Sequence, residues 1–256
     1  MPMVAKKPHI YKNEVLLIDV GNTSTKIALS RSEAFIWQKS WPTTAITSHL
    51  LAEVIAMHQS QTVFCCSVVP TISDIISQTL VLFPQCSTMF VGRERKVPLK
   101  INYQTPDTLG ADRLVAAYAA RRLFSDPALL VIDAGTALTL DLVISDTFFG
   151  GFILASPTGQ MEALGKAAQL PNLTLPKQIP EFSLGQSTAT CITHGALFGT
   201  VAMLNGLIAK IEHTYDLHTV TIGTGGMSST LSAAGFTFTH LQRDLVLDGL
   251  RFLAYQ

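Results

Sequence analysis

Leu16-Leu17-Ile18-Asp19-Val20-Gly21-Asn22-Thr23-Ser24-Thr25-Lys26-Ile27-Ala28-Leu29 decides the fold. An apolar run ends in an acid. A glycine and a string of small hydroxyl and amide residues follow, and apolar character then returns. Runs bounded in this way predict strand, tight turn, strand. Gly21 has no Cβ and lets the backbone approach a ligand closely. Asn22, Thr23, Ser24 and Thr25 bring short donors and backbone N–H groups suited to cradling phosphate. Asp19 closes the first strand, where a carboxylate can hold Mg²⁺, usually through water. Lys26 is a point charge for phosphate. A plain hairpin with a hydrophilic turn carries the same short signature, so this stretch alone leaves both readings open.

Val131-Ile132-Asp133-Ala134-Gly135-Thr136-Ala137-Leu138-Thr139-Leu140 repeats the pattern. Aligned on the acids, Ile18 matches Ile132, Gly21 matches Gly135 and Thr25 matches Thr139. Internal self-similarity is a signal at the level of the fold. Two acid-glycine hairpins, each opening one half of the chain, predict an α/β protein of two duplicated domains facing a shared cleft. The arrangement resembles the actin-like (ribonuclease H-like), sugar-kinase-like ATPases. The expected domains are 1–124, with the phosphate hairpin, and 125–256, with the second hairpin and a long apolar helix.

A chain of 256 residues can bury a substantial core as one large or two small domains. The charge balance, Lys+Arg 18 against Asp+Glu 18, gives no basic footprint, so no nucleic-acid partner is expected. Cys65, Cys66, Cys86 and Cys191 include no C-x-x-C pair, and buried free thiols in a reducing compartment are expected. Met1 to Glu14 reads as a polar leader without the apolar core of a signal peptide. No charge-free apolar stretch of membrane-spanning length stands out, so no membrane partner and a cytoplasmic location are expected. The seven histidines show no metal-ligand spacing.

Along the chain, Phe35 to Trp41 predicts a strand ended by Pro42 and Thr43-Thr44. Helices are expected over Thr47–Met57, Thr71–Leu82, Met161–Leu170 and Val246–Tyr255. Thr62 to Val69 reads as a buried parallel strand stopped by Pro70. Ser87–Val91 and Thr219–Ile222 are further strands. Gly150-Gly151 reads as following a turn. Gly223-Thr224-Gly225-Gly226 reads as a glycine turn before a helix, suited to a nucleotide's sugar or phosphate. Thr188 to Ile211 predicts a long helix, whose Gly195, Gly199 and Gly206 suit either internal helix packing or a subunit interface.

Tyr103-Gln104-Thr105-Pro106-Asp107-Thr108-Leu109-Gly110-Ala111-Asp112-Arg113 is the second informative stretch. Asp112 and Arg113 open an alanine-rich helix to Phe124. An acid in a first turn is favoured by the helix dipole alone. A loop that delivers an Asp, an Arg and a Tyr together also suits an alcohol substrate with a carboxylate. Asp112 could take the alcohol's proton and Arg113 could bind the carboxylate bidentately.

Together, D-V-G-N-T (19–23), S-V-V-P (67–70), L-G-A-D-R (109–113), D-A-G-T-A (133–137) and L-G-Q-S-T (184–188) resemble type III pantothenate kinase, in order and spacing, from about Val15 onward. The resemblance implies an actin-like homodimer that phosphorylates pantothenate with ATP and Mg²⁺, the first step of coenzyme A synthesis, its sites completed across the interface. It implies that Asp19, Val20, Gly21, Asn22, Thr23, Ser24, Thr25, Lys26 and Thr136 bind ATP. Tyr103, Gly110, Ala111, Asp112, Arg113 and Thr188 would bind pantothenate, with Asp112 the general base. Asp133 would hold a monovalent cation, K⁺ or NH₄⁺. The chain departs from the family's G-G-x-I-x-P-G at Ala155-Ser156, and from its K-N at Gln186-Ser187. A kinase for another small hydroxy acid, and a non-catalytic accessory or regulatory relative, are the competing expectations. The intact Asp19, Asp112 and Asp133 weigh against the second.

Overall fold

The computed structural model describes residues 14–92, 94–167, 170–171 and 173–256. The leader read up to Glu14 therefore lies, except for Glu14 itself, outside the described residues. The chain forms two compact units. The first holds the described residues through Leu99, Thr105–Leu123 and Leu245–Gln256; the second holds Lys100–Gln104 and Phe124–Asp244.

The first unit is built on strands β1 (Val15–Val20), β2 (Ser24–Ser30), β3 (Phe35–Pro42), β4 (Thr62–Ser67) and β5 (Ser87–Phe90). Their order in the sheet is β3-β2-β1-β4-β5. The second unit has β6 (Lys100–Ile101), β7 (Ala128–Ala134), β8 (Ala137–Ile144), β9 (Thr147–Ala155), β10 (Val220–Thr224) and β11 (His240–Leu241), ordered β11-β10-β7-β8-β9-β6. Read from β9, the second sheet repeats the first. Antiparallel β1–β2–β3 answers to β7–β8–β9, and parallel β1–β4–β5 answers to β7–β10–β11. Even the bulges correspond, at Leu29/Ser30 and at Leu142/Val143. The duplication expected from the two hairpins is a property of the fold.

The register corrects one detail of that alignment. Asp19 lies opposite Lys26 and Val20 opposite Thr25, whereas Asp133 lies opposite Thr139. The second hairpin is a residue shorter, so Thr139 corresponds to Lys26 and not to Thr25. The turns differ accordingly: Gly21 N–H donates to Ser24 O, but Gly135 N–H donates to Ala137 O.

Helices cover both faces of the first sheet. Leu16, Ile18 and Val20 pack with Leu51, Val54 and Ile55 of α1 (Ser48–His58) and Ile72 and Ile76 of α2 (Pro70–Leu80). Pro70 does not merely stop β4; it opens α2, where its missing N–H costs nothing. The other face is covered by α3 (Ala111–Leu123) and by the last helix, Leu245–Ala254. Burial on both faces explains why β1 and β4 are apolar without alternation. The alanines of α3 at 116, 117, 119 and 120 are buried and permit close approach.

A single cut at 124/125 does not describe the units. Lys100–Ile101 pairs with β9 and so joins the second unit. The last helix returns to the first, seated so closely on α3 that a Cβ at Gly249 would lie 2.5 Å from the Val115 carbonyl oxygen. Gly150 and Gly151 follow the turn at 145–146, as expected, and lie inside β9. A Cβ on Gly151 would collide with the Leu140 carbonyl across the sheet, so that strand requires the glycine.

The second unit carries α4 (Pro157–Ala167), α5 (Thr188–Tyr215) and α6 (Ser228–Ala233), followed by α7, the Leu245–Ala254 helix of the first unit. Ser187 caps α5 in a reciprocal pair with Thr190, which gives the Gln186-Ser187 departure a local use. Contrary to expectation, α5 is long and apolar enough to span a membrane by length and composition, the one such helix among the described residues. Its Leu197 and Leu204 are fully buried in the unit, as in a core helix. Its three glycines, Gly195, Gly199 and Gly206, have no described residue within 4 Å of their Cβ positions, so packing among the described residues does not account for them.

Gly249→Ala should destabilise the protein by about 1–3 kcal/mol, since a methyl must displace helix backbone. Urea unfolding checks this, and an unchanged midpoint would contradict the close helix contact.

Candidate active site

In the first unit the strand order brings two acids to one place. Ile18 and Val20 face the α1/α2 core, so alternation turns Asp19 to the face that α3 covers. Parallel pairing puts Asp19 in register with Cys66 of β4. Asp112 enters from the first turn of α3. Burial pushes the Cys66 thiol well above its ordinary pKa, and the carboxylates of Asp19 and Asp112 push it further in the same direction. Cys66 is thus a neutral, buried thiol within electrostatic reach of two half-buried acids, a position that sequence reading missed because adjacent cysteines in an apolar strand carry no motif.

The Asp112 carboxylate is fixed locally. Its Oδ1 accepts the Arg113 N–H at 2.8 Å, and a Cβ on Gly110 would lie 2.5 Å from the same oxygen. The order Gly-Ala-Asp therefore has a local reason: glycine at 110 lets the carboxylate fold back, where a Cβ would push it aside. Arg113 itself is buried, and its guanidinium does not extend into solvent.

The turn of the first hairpin is braced from behind by Thr43, which sequence reading took only for the end of a strand. Its N–H donates to Thr23 O at 2.9 Å and its hydroxyl to Gly21 O at 2.7 Å. With that proton used, the Thr25 hydroxyl must be the donor in its 3.1 Å contact with Thr43 Oγ1. Thr25 is fully buried and Val20 nearly so, so their side chains serve the fold. Asn22, Thr23 and Ser24 are exposed at the turn, and Lys26 is half-buried opposite Asp19.

In the second unit Asp133 is the penultimate residue of β7 and is paired in register with Thr224 of β10. Gly225, with φ +82°, follows directly, and a Cβ there would collide with Asp133 Oδ1 and the Ala134 backbone. The glycine turn at 223–226 thus closes onto the Asp133 carboxylate, and Met227 N–H secures it by donating to Ala134 O. Thr136 is exposed at the hairpin tip. Tyr103 packs edge-on to Phe148, its ring 3.3 Å from where a Gly150 Cβ would stand. Thr188 is exposed at the start of α5, beside a cavity of about 430 Å³ between α4 and α5 lined also by Gln160, Leu164 and Ile192.

Among the described residues no three His, Cys, Asp or Glu cluster as a metal cage. A lone carboxylate at a strand end suits Mg²⁺, which keeps water and phosphate oxygens as its other ligands.

Each unit thus carries a five-strand core ending in an acid beside a glycine turn, the architecture of the actin-like, sugar-kinase-like ATPases. A Listeria monocytogenes structure, described as a candidate N-acetylmannosamine kinase, matches with a TM-score of 0.56 at 9% identity, over 94% of this chain and 98% of that one. At that identity the likeness concerns the fold alone. The family model for type III pantothenate kinase matches residues 15–210, and the chain belongs to that family. The type III pantothenate kinase of Desulfovibrio desulfuricans is 36% identical over 95% of this chain and 97% of its own length. That of Nitratidesulfovibrio vulgaris is 34% identical over 93% and 95%.

Cys191 is exposed while Cys65 and Cys66 are buried. A thiol-alkylating reagent should therefore label Cys191 first in the folded protein, and Cys66 only after denaturation. Rapid labelling of Cys66 in the folded state, read by peptide mass spectrometry, would contradict the burial of Cys66 beneath α3 and the last helix.

Proposed function

We propose that the chain transfers the γ-phosphoryl group of ATP to the primary hydroxyl of pantothenate, giving 4'-phosphopantothenate and ADP at the entry to coenzyme A synthesis. Membership of the family supports the reaction. The convergence of Asp19 and Asp112 on Cys66 is the observation that carries the assignment of roles.

Phosphoryl transfer depends on positioning and charge neutralisation more than on covalent chemistry. Gly21, Asn22, Thr23, Ser24 and Lys26, with Thr136 of the second hairpin, hold the nucleotide's phosphates. Val20 and Thr25 contribute backbone only, because their side chains are buried. Asp19 would hold Mg²⁺, which would supply charge neutralisation for the phosphates. Asp112 orients the pantothenate hydroxyl and takes its proton as the new O–P bond forms and ADP leaves. Tyr103, Gly110, Ala111, Arg113 and Thr188 bind the rest of pantothenate. Asp133 holds a monovalent cation; the residue in register with it is Thr139, where the first hairpin has Lys26. The reading is tested by ADP release with pantothenate and with a panel of small hydroxy acids. Turnover of another acid in preference to pantothenate, or of none, would overturn it.

Asp112→Asn should keep the fold and ATP binding and lower turnover about a hundredfold or more, the usual range for a lost general base. Wild-type turnover in this variant would remove that role. Activity should rise with K⁺ or NH₄⁺ and stay low in Na⁺ alone, and indifference to the swap would remove the cation from Asp133.

The protein further acts as a homodimer through α5, with Thr188 serving the partner's pantothenate. Support comes from the open glycine row on that helix and from exposed Phe182 and Leu184 just before it. Mixing Asp112→Asn and Thr188→Arg proteins under subunit exchange should restore activity, since each mixed dimer has one site free of both lesions. No recovery after demonstrated exchange would contradict shared sites.

A further inference from the structure

Ser156 stands at one of the two departures from the family pattern, and its surroundings give the departure a purpose. It precedes α4 and is 1% exposed. Its Oγ lies 2.8 Å from the Thr136 carbonyl oxygen, 2.9 Å from Thr158 Oγ1 and 3.2 Å from Gly159 N. A hydroxyl has one proton and two lone pairs. The Thr136 carbonyl can only accept and the Gly159 N–H can only donate. The Ser156 proton therefore goes to Thr136, and the Thr158 hydroxyl donates to the remaining lone pair. Every hydrogen-bonding capacity of this buried oxygen is used, and its direction is fixed.

Two elements meet at that oxygen. One is the N-terminus of α4, where it caps the N–H of the third residue, Gly159. The other is the tip of the second acid-glycine hairpin, 20 residues earlier in the chain. The next turn of α4 is anchored too. Gln160 Nε2 donates to the Ala155 carbonyl at 3.0 Å and to Thr200 Oγ1 at 2.9 Å. Thr200 is fully buried on α5 and donates to the Ala196 carbonyl at 2.7 Å. The hairpin tip is thereby tied through Ser156 to α4, and α4 through Gln160 to the interior of α5. Thr136 has its carbonyl held from beneath while the residue is exposed at the tip.

We propose that Ser156 is a positioning residue for nucleotide binding: its hydroxyl fixes the Thr136 turn so that the exposed tip is preorganised for phosphate. The inference rests on the reading of Thr136 as an ATP contact. A residue that acts only as a helix cap would change stability and leave nucleotide affinity alone.

The experiment compares KM for ATP, KM for pantothenate and thermal midpoint in wild type, Ser156→Ala and Thr136→Ala. Losing one buried hydrogen bond costs roughly a factor of ten, so Ser156→Ala should raise the ATP KM about tenfold. The pantothenate KM should stay within about twofold, which separates positioning of ATP from general damage. Thr136→Ala should raise the ATP KM as well. If Thr136→Ala raises it and Ser156→Ala lowers only the thermal midpoint, Ser156 is a cap and the inference fails by itself. If Thr136→Ala leaves the ATP KM unchanged, the ATP reading of Thr136 fails and takes the inference with it. Should Ser156→Ala not fold, Ser156→Cys, close in size and a weak donor, carries the same prediction in reduced size.

Discussion

The structure depends on the parallel pairing of β1 with β4. A strand in the middle of a sheet, covered by helices on both faces, has to be apolar throughout. Val15 to Ile18 meets that demand, and the run breaks at Asp19, one residue before the strand ends at Val20. Parallel register then sets Asp19 beside Cys66, and the helix over that face brings Asp112 to the same cysteine. The second unit repeats the constraint. There β7 pairs with β10, Asp133 stands in register with Thr224, and the glycine turn of 223–226 closes on the carboxylate. The acids are placed by sheet geometry, and the loops are shaped around them.

Glycines and hydroxyls do that shaping, and each for a separate reason. Gly110 leaves room for a carboxylate, Gly225 for another, Gly151 for a neighbouring strand and Gly249 for a helix. Thr43 and Ser156 play matching parts in the two units. Each is a buried hydroxyl that donates to a carbonyl in the turn of an acid-glycine hairpin, at Gly21 and at Thr136 respectively. The two come from different places in the fold, one after β3 and one after β9, which are themselves counterparts in the two sheets.

The fold was legible because its signal is periodic and repeated. Two apolar runs ending in Asp-x-Gly specify strand, turn and strand locally, and their recurrence specifies duplication. The acids were legible for the same reason, since a charge closing an apolar run has few structural uses. What escaped the sequence depends on pairing between distant segments. The one-residue difference between the hairpins appears only in register, so Thr25 and Thr139 align by spacing yet occupy different rungs. Thr25 looks like a ligand residue in a polar string, but its rung faces inward. Gly150-Gly151 follows a turn as its sequence suggests, but why the strand needs glycine there, room for Tyr103 and for the Leu140 carbonyl, shows only in three dimensions. The last helix belongs to the first unit because it packs on α3, β1 and β4, most closely where Gly249 meets Val115, and no local pattern announces those distant partners.

The central claim is that Asp19 and Asp112 serve one reaction centre and act on the same step. A double-mutant cycle on turnover with Asp19→Asn, Asp112→Asn and the double variant tests it most directly. Groups that act as a unit are strongly non-additive, so the double variant should fall within about tenfold of the slower single variant. A double variant slowed by the full product of the two single effects would mean that the acids act independently, and would contradict the account.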